Sequence, residues 1–309
     1  MIASVAVIFF DRFARLLRTA LIHFNLKSST HGIGFRSVTA AVESHADADS
    51  QRVLILRLAS TANCKPGLHT FLTFPSLSIF QAHPFTPALV TPSATPGMYD
   101  HVYLIVAMGG ETKRLADLPD PTVPVILTGP YGNSVLDPGA ESLLFVAGGT
   151  GVSFTLSLLH EAVKTAKAKT LRFVWIVRRA SNVCWLEKEL SAIIDEAAKK
   201  GVQLKVRIFV SRDEEGSSTE DLLAEKKEAG IVEKEVGLLG RAGFARPEMR
   251  ELVAEFIGDA RGRCQVLASG PEGMERDLRS AVAEVNDAAA VWSGREESDV
   301  SLYWDGRYH

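Results

Sequence analysis

The chain has 309 residues, of which 46% are apolar and 23% charged, with 24 Gly and 13 Pro. That is a globular composition long enough for two domains of roughly 100–200 residues, and it excludes wholesale disorder and collagen-like repeats. A net charge of -3 with a pI near 6.3 gives no global attraction to phosphate backbones, which argues against nucleic acid as the main partner. Cys64, Cys184 and Cys264 lie far apart and form no CxxC, so neither a disulfide framework nor a zinc site is indicated, no metal ligand set is expected, and a reducing compartment fits.

The apolar run that opens the chain meets Asp11-Arg12 after about ten residues, half of what a membrane-spanning helix needs. It also lacks the basic start and small-residue cleavage site of a secretory signal. Arg12, Arg15 and Arg18 then recur every third residue among Phe13, Leu16 and Leu17. This reads as a helix leaving an apolar phase beside phospholipid headgroups; an amphipathic helix docked on the protein itself is the alternative.

Six β-rich runs follow: Phe35–Val42, Arg52–Leu58, Thr70–Phe74, Phe85–Val90, His101–Met108 and Val123–Thr128. Separated by turns such as Lys65-Pro66-Gly67, they predict a small six-stranded antiparallel barrel. The rhythm then changes to an apolar strand at Leu143–Ala147, a glycine turn, a helix over Phe154–Ala168, a strand over Leu171–Val177 and a helix over Glu187–Lys200 ended by Gly201. Further strands at Val202–Val210 and Cys264–Ala268, with helices near Pro247–Phe256 and Glu272–Val285, complete a doubly wound parallel α/β domain. The charged stretch Arg212–Gly230 reads as a surface insertion.

Three segments carry chemistry. Gly148-Gly149-Thr150-Gly151 sits between a strand and a helix, where glycines admit a pyrophosphate and the helix N-terminus offers unpaired N–H groups; a purely structural turn is the alternative. Arg178 and Arg179 follow the next strand at the edge where such sheets bind ligands, and their guanidinium groups suit a 2′-phosphate, favouring NADPH over NADH, unless they are only solubilising. His83-Pro84-Phe85-Thr86 enters a strand with side chains fixed by proline, either to stack on and orient a planar conjugated ligand or simply as a core Phe beside a surface His.

Taken in order, His83-Pro84-Phe85-Thr86, Gly129-Pro130-Tyr131-Gly132, Gly148–Ser153 and Gly270-Pro271-Glu272 resemble the reductase half of the ferric reductase and NADPH oxidase family, most of all its fungal ferric-chelate reductases. Phe10-Asp11-Arg12 with Arg15 and Arg18 resembles the end of that family's last transmembrane helix. The resemblance implies a ferredoxin-NADP reductase-like pair of domains: a membrane stub at 1–21, an FAD-binding barrel at 22–133 and an NADP-binding α/β domain at 134–309. In the FAD-holding segment that includes Pro84, His83 would approach the flavin nucleotide's phosphate, Phe85 would pack on the isoalloxazine, and Thr86 would hydrogen-bond near its N5 edge. Thr112 would belong to a second flavin loop, and Gly129, Pro130, Tyr131 and Gly132 would close the barrel. Gly148, Gly149, Thr150 and Gly151 would cradle the NADPH pyrophosphate, with Arg178, Arg179 and Arg241 around its adenosine phosphate. Gly270 and Pro271 would lie beside the nicotinamide, with Ser269 where relatives carry cysteine; Thr86 and Ser269 are therefore the expected catalytic pair.

The implied activity is electron transfer from NADPH through FAD to haem or chelated ferric iron, on the cytosolic side of a membrane that the N-terminal stub contacts. Haem is expected only in the transmembrane part of a full-length relative. His31 with His45, and His69 with His83, share a haem-like spacing, but their polar or β-like surroundings make coincidence the preferred reading. Either the chain is a fragment of a longer membrane enzyme or it works as a detached reductase. A superoxide-producing oxidase module and a non-catalytic nucleotide-binding regulator are the alternatives, the second motivated by Ser269.

Overall fold

The computed structural model describes residues 2–25, 34–35, 37–46, 51–212, 242–243 and 246–306. Arg241, His31, Tyr308 and all but the first residue of the expected insertion at 212–230 lie outside them.

Helix α1 spans Ile2–His23, and strands β1 (Phe24–Asn25) and β2 (Gly34–Phe35) form a short antiparallel pair beside it. The α1 side chains Val7, Ile8, Phe9, Phe10, Phe13 and Leu16 are all exposed. Among the described residues no helix is long and apolar enough to cross a membrane.

Next come β3 (Val38–Ala46), β4 (Arg52–Ser60), β5 (His69–Thr73), β6 (His83–Phe85), β7 (Leu89–Pro92), β8 (Tyr99–Ala107), helix α2 (Gly110–Ala116) and β9 (Thr122–Tyr131). They form one antiparallel sheet in the order β6-β5-β9-β3-β4-β8-β7. Seven strands therefore stand where six were expected. The apolar run Phe85–Val90 divides at Thr86-Pro87, because proline brings no N–H to a ladder. Its halves pair outward, β6 with β5 and β7 with β8, and become the two edges of the curled sheet. A hydroxyl contact of 2.9 Å between Thr70 of β5 and Tyr103 of β8 bridges the curl.

The second half alternates β10 (Ser142–Gly148), α3 (Val152–Thr165), β11 (Thr170–Val177), α4 (Glu187–Lys199), β12 (Leu204–Val210), β13 (Ala242–Gly243), α5 (Met249–Asp259), β14 (Cys264–Ser269), α6 (Glu272–Val285), the short α7 (Ala288–Trp292) and β15 (Val300–Trp304). All six strands are parallel, in the order β13-β12-β11-β10-β14-β15. The chain enters at β10, winds outward to β13 and returns to β14 on the other side of β10. The strand order thus reverses between β10 and β14, and ligands bind beyond the carboxyl ends of strands at such a point.

Two-residue periodicity explains how the halves join. In β4, Leu54, Leu56 and Leu58 fill the interior of the curled sheet, whereas Val53 and Ile55 face outward. In β8, Tyr103 and Ile105 point in and Val102 and Leu104 point out. Those outward residues share one apolar cluster with Phe154 and Leu158 of α3 and with Leu143, Phe145 and Ala147 of β10. Helix α3 is thus buried between the two sheets. The other face of β10, through Leu144 and Val146, packs under α5 and α6. Coverage on both faces is why Ser142–Gly148 reads as an unbroken apolar run and is buried throughout.

Candidate active site: a two-chambered cleft

The glycine turn after β10 rests against the end of β14. A Cβ on Gly151 would lie 2.7 Å from the Ser269 carbonyl carbon, and one on Gly148 would lie 2.6 Å from Pro271 Cδ. Both are inside the closest approach that real Cβ atoms make, so the contact exists only because these positions are glycine. Gly149 has φ +54°, and its carbonyl accepts the Trp175 indole N–H at 3.0 Å. The turn leads straight into α3, whose first N–H groups open at the reversal point.

One cavity of about 600 Å³ lies against this turn. Gly148, Gly149, Thr150, Pro271 and Glu272 form its floor, and Arg178, Asn182, Trp185, Arg212 and Arg246 stand around it. A second, of about 400 Å³, is walled by His83, Pro84, Phe85 and Thr86 on one side, Gly109 and Thr112 on another, and Thr150, Gly151, Ser153 and Ser269 on a third. Val106, Met108 and Thr150 border both cavities. Each volume falls in the usual range for small-molecule sites.

The structure thus gathers His83, Pro84, Phe85, Thr86, Thr112, Gly151 and Ser269 at one chamber and Gly148, Gly149, Arg178 and Pro271 at the other, with Thr150 common to both. Gly270 lies behind the floor, its backbone against Gly148. Two sequence expectations fall elsewhere. Arg179 is exposed and lines neither chamber, because its extended backbone (φ −126°, ψ 152°) turns it away from Arg178. Gly129, Pro130, Tyr131 and Gly132 also line neither; Tyr131 packs edge-on to Phe71 at 5.6 Å and under the Arg15 guanidinium at 5.1 Å. Trp304 packs against the apolar cluster beneath α5 and α6, and it is the next residue, Asp305, that reaches the smaller chamber.

Polar groups in the smaller chamber have defined duties. His83 Nε2 lies 2.7 Å from Glu111 Oε2, and the Glu111 side chain is only 1% exposed. The two atoms are close but not aligned as a hydrogen bond. The Glu111 carboxylate also sits in the first turn of α2, where the helix dipole favours an anion. Thr112 donates its hydroxyl proton to the Gly109 carbonyl at 3.0 Å. Ser269 donates to the Asp305 carbonyl at 3.1 Å, so its hydroxyl is turned toward the chain end. The Ser153 hydroxyl is buried with no hydrogen-bond partner and lines the chamber, as an atom reserved for a ligand would be.

Sequence reasoning missed Arg212, Arg246, Asn182, Ser153, Asp305 and the His83–Glu111 contact. Ser153 is the second residue of the helix that follows the glycine turn, inside the Gly148–Ser153 motif. Arg246 and Asp305 come from segments remote in sequence, and no local pattern marks them. Of the four histidines read as coincidental in spacing, His45 lies near Cys184, His69 meets Phe71 edge-on, His83 meets Glu111, both His69 and His83 line the smaller chamber, and His31 is outside the described residues. Among the described residues no group of His, Cys, Asp and Glu is arranged to hold a metal ion.

Comparison with known proteins agrees with this geometry. Residues 140–283 match the ferric reductase NAD binding domain family. The chain is 30% identical over 163 residues to a probable cell surface ferric reductase of Aspergillus oryzae, covering 48% of this chain and 22% of that protein. It is 25% identical over 307 residues to ferric/cupric reductase transmembrane component 1 of Candida albicans, covering 91% and 37%. The chain therefore spans well under half the length of these curated relatives. Among solved structures, a ferredoxin NADP+ reductase from Neisseria gonorrhoeae with bound FAD and NADP superposes with a TM-score of 0.53 at 12% identity, covering 88% of this chain and 99% of that one; the two share the fold.

Proposed function

We propose that this chain, of which residues 140–283 match the ferric reductase NAD binding domain family, is a reductase half of the ferric reductase and NADPH oxidase kind, taking electrons from NADPH and passing them through FAD to a haem or chelated ferric acceptor. The observation that carries this reading is the pair of adjoining chambers with a common wall at Val106, Met108 and Thr150. On this reading a planar ligand would lie at Phe85 and Thr86, next to a nucleotide on the glycine turn.

The residues present fit both groups. Gly148 and Gly151 leave a backbone floor that any Cβ would disrupt, as close approach of a pyrophosphate requires. Arg178, Arg212 and Arg246 supply cations for an adenosine phosphate. His83 and Thr112 supply the phosphate side of a flavin nucleotide, Phe85 a ring face and Thr86 a hydroxyl. Bound FAD supplies acceptance of a hydride and release of single electrons, chemistry that the chain's own side chains lack. The protein's part is to align the ligands and keep water from the contact, and it asks for no acid–base dyad.

Membrane contact through the exposed apolar side of α1, with the two chambers on the cytosolic side, belongs to the same proposal. A second reading, a nucleotide-binding regulator with little turnover, draws on one observation: the Ser269 hydroxyl already donates to the Asp305 carbonyl. Anaerobic mixing of FAD-loaded protein with NADPH decides between them. Bleaching of the flavin absorbance, followed by ferricyanide reduction, is expected; a folded, FAD-loaded protein that stays yellow overturns the reductase reading and leaves the regulator.

A further inference from the structure

We infer that Arg57, on the flavin half of the molecule, is a positioning residue for the nicotinamide nucleotide and acts through a latch to Glu189. This rests on the assignment of the larger chamber to NADPH.

Arg57 lies on β4, and its guanidinium Nη1 contacts Glu189 Oε1 in the first turn of α4, while its Nε donates to Glu43 Oε1 of β3 at 3.3 Å. The Glu189 side chain is only 7% exposed, and its second oxygen has no hydrogen-bond partner. Arg57 is thus the cation that compensates this carboxylate among the described residues. Burial draws the Arg57 pKa down, but Glu189 and Glu43 outweigh it and leave it raised, so the charge is held firmly.

Glu189 is also the near end of the nucleotide wall. Residues 178–186 run from the end of β11 directly into α4, and they contribute Arg178, Asn182 and Trp185 to the larger chamber. Inside the segment, the Asn182 side-chain oxygen accepts the Arg179 N–H at 2.8 Å, which makes it a compact turn that moves as a unit. A second contact with the flavin half lies in its middle, where Cys184 Sγ is 3.7 Å from His45 Nδ1 of β3. The wall also packs on the antiparallel sheet through Val183, Trp185 and Leu186, which share one apolar cluster with Val53 and Ile55 of β4, and the Arg57–Glu189 contact adds a charge pair whose carboxylate is buried. Without Arg57, the Glu189 carboxylate must turn toward water, and the first turn of α4 must move with it. Displacement of that turn carries Trp185 and Asn182 away from the nucleotide while leaving Phe85, Thr86 and Thr112 in place.

The test is calorimetric titration of FAD-loaded protein with NADP+. Arg57→Ala and Glu189→Gln should each weaken NADP+ about five- to twentyfold, with the FAD-to-protein ratio and visible spectrum unchanged. The double variant should be no weaker than either single one, because both remove the same latch. Arg57→Lys, which keeps the charge, should recover most of the affinity and serves if the alanine variant does not fold. Glu189→Gln or Arg57→Ala within twofold of wild type, or losses that multiply in the double variant, overturn the latch. Wild-type protein that binds no NADP+ removes the assignment of the chamber, and the latch with it. Tight wild-type binding with insensitive variants removes the latch alone.

Discussion

Replacing Gly151 by alanine puts a methyl group 2.7 Å from the Ser269 carbonyl carbon and nearer still to its oxygen. The obstacle is backbone on a central strand, so no side chain can swing aside. Reaching the 3.4 Å of ordinary contact from that oxygen takes a displacement of about 1 Å between the glycine turn and the end of β14. Overpacking of this kind costs about 1–3 kcal/mol. At roughly 2–4 °C per kcal/mol for a domain of this size, melting should fall by about 2–12 °C. The functional loss should be larger, since misplacing reacting groups by about 1 Å can cost on the order of a hundredfold. Differential scanning fluorimetry and stopped-flow flavin reduction read the two effects. Gly258→Ala is the control: that glycine is exposed on α5 with nothing within 4 Å of its added Cβ, and the change should stabilise by roughly 0.5–1 kcal/mol. A Gly151→Ala protein that melts with wild type and reduces flavin at the wild-type rate would show that the turn does not depend on contact with Ser269.

Arg178→Ala should weaken NADPH about ten- to a hundredfold, the worth of a charged hydrogen bond, while NADH changes little and Arg179→Ala stays within about twofold for both; equal losses for the two nucleotides would remove the phosphate argument. Thr86→Ala should slow flavin reduction about two- to tenfold with melting nearly unchanged, and an unaltered rate in stopped-flow would dismiss the hydroxyl. Acid should destabilise the fold through His101. Burial lowers its pKa against the opposing Ala62 bond, so the folded state resists a proton that the unfolded chain takes up near pH 6.5. Stability is therefore full above about pH 6.5 and declines as pH falls toward the folded pKa. His101→Phe should flatten the melting-temperature slope between pH 7 and 5, and a slope equal to wild type would assign the loss to other groups.

The α/β half was legible because its signals are local. Strands expected at Leu143–Ala147 and Leu171–Val177 occur as Ser142–Gly148 and Thr170–Val177, and the helix expected over Glu272–Val285 has those bounds. Errors arose where a distant partner decides. Helix α3 starts two residues earlier than its periodicity indicated and stops at Ala166, whose φ of +49° no alanine favours in isolation. The split of Phe85–Val90 depends on which edge each half joins, information held by β5 and β8 rather than by the run itself. Likewise the glycine floor could be read from a motif, whereas Arg212 and Arg246 become chamber walls only once β12 and α5 are wound beside β10.

The wall common to both chambers ties their occupants together. Val106, Met108 and Thr150 border both chambers, so any adjustment that one occupant makes in them is felt by the other. Thermodynamic linkage makes the bargain symmetrical: whatever factor the flavin lends to nucleotide affinity, the nucleotide returns to the flavin.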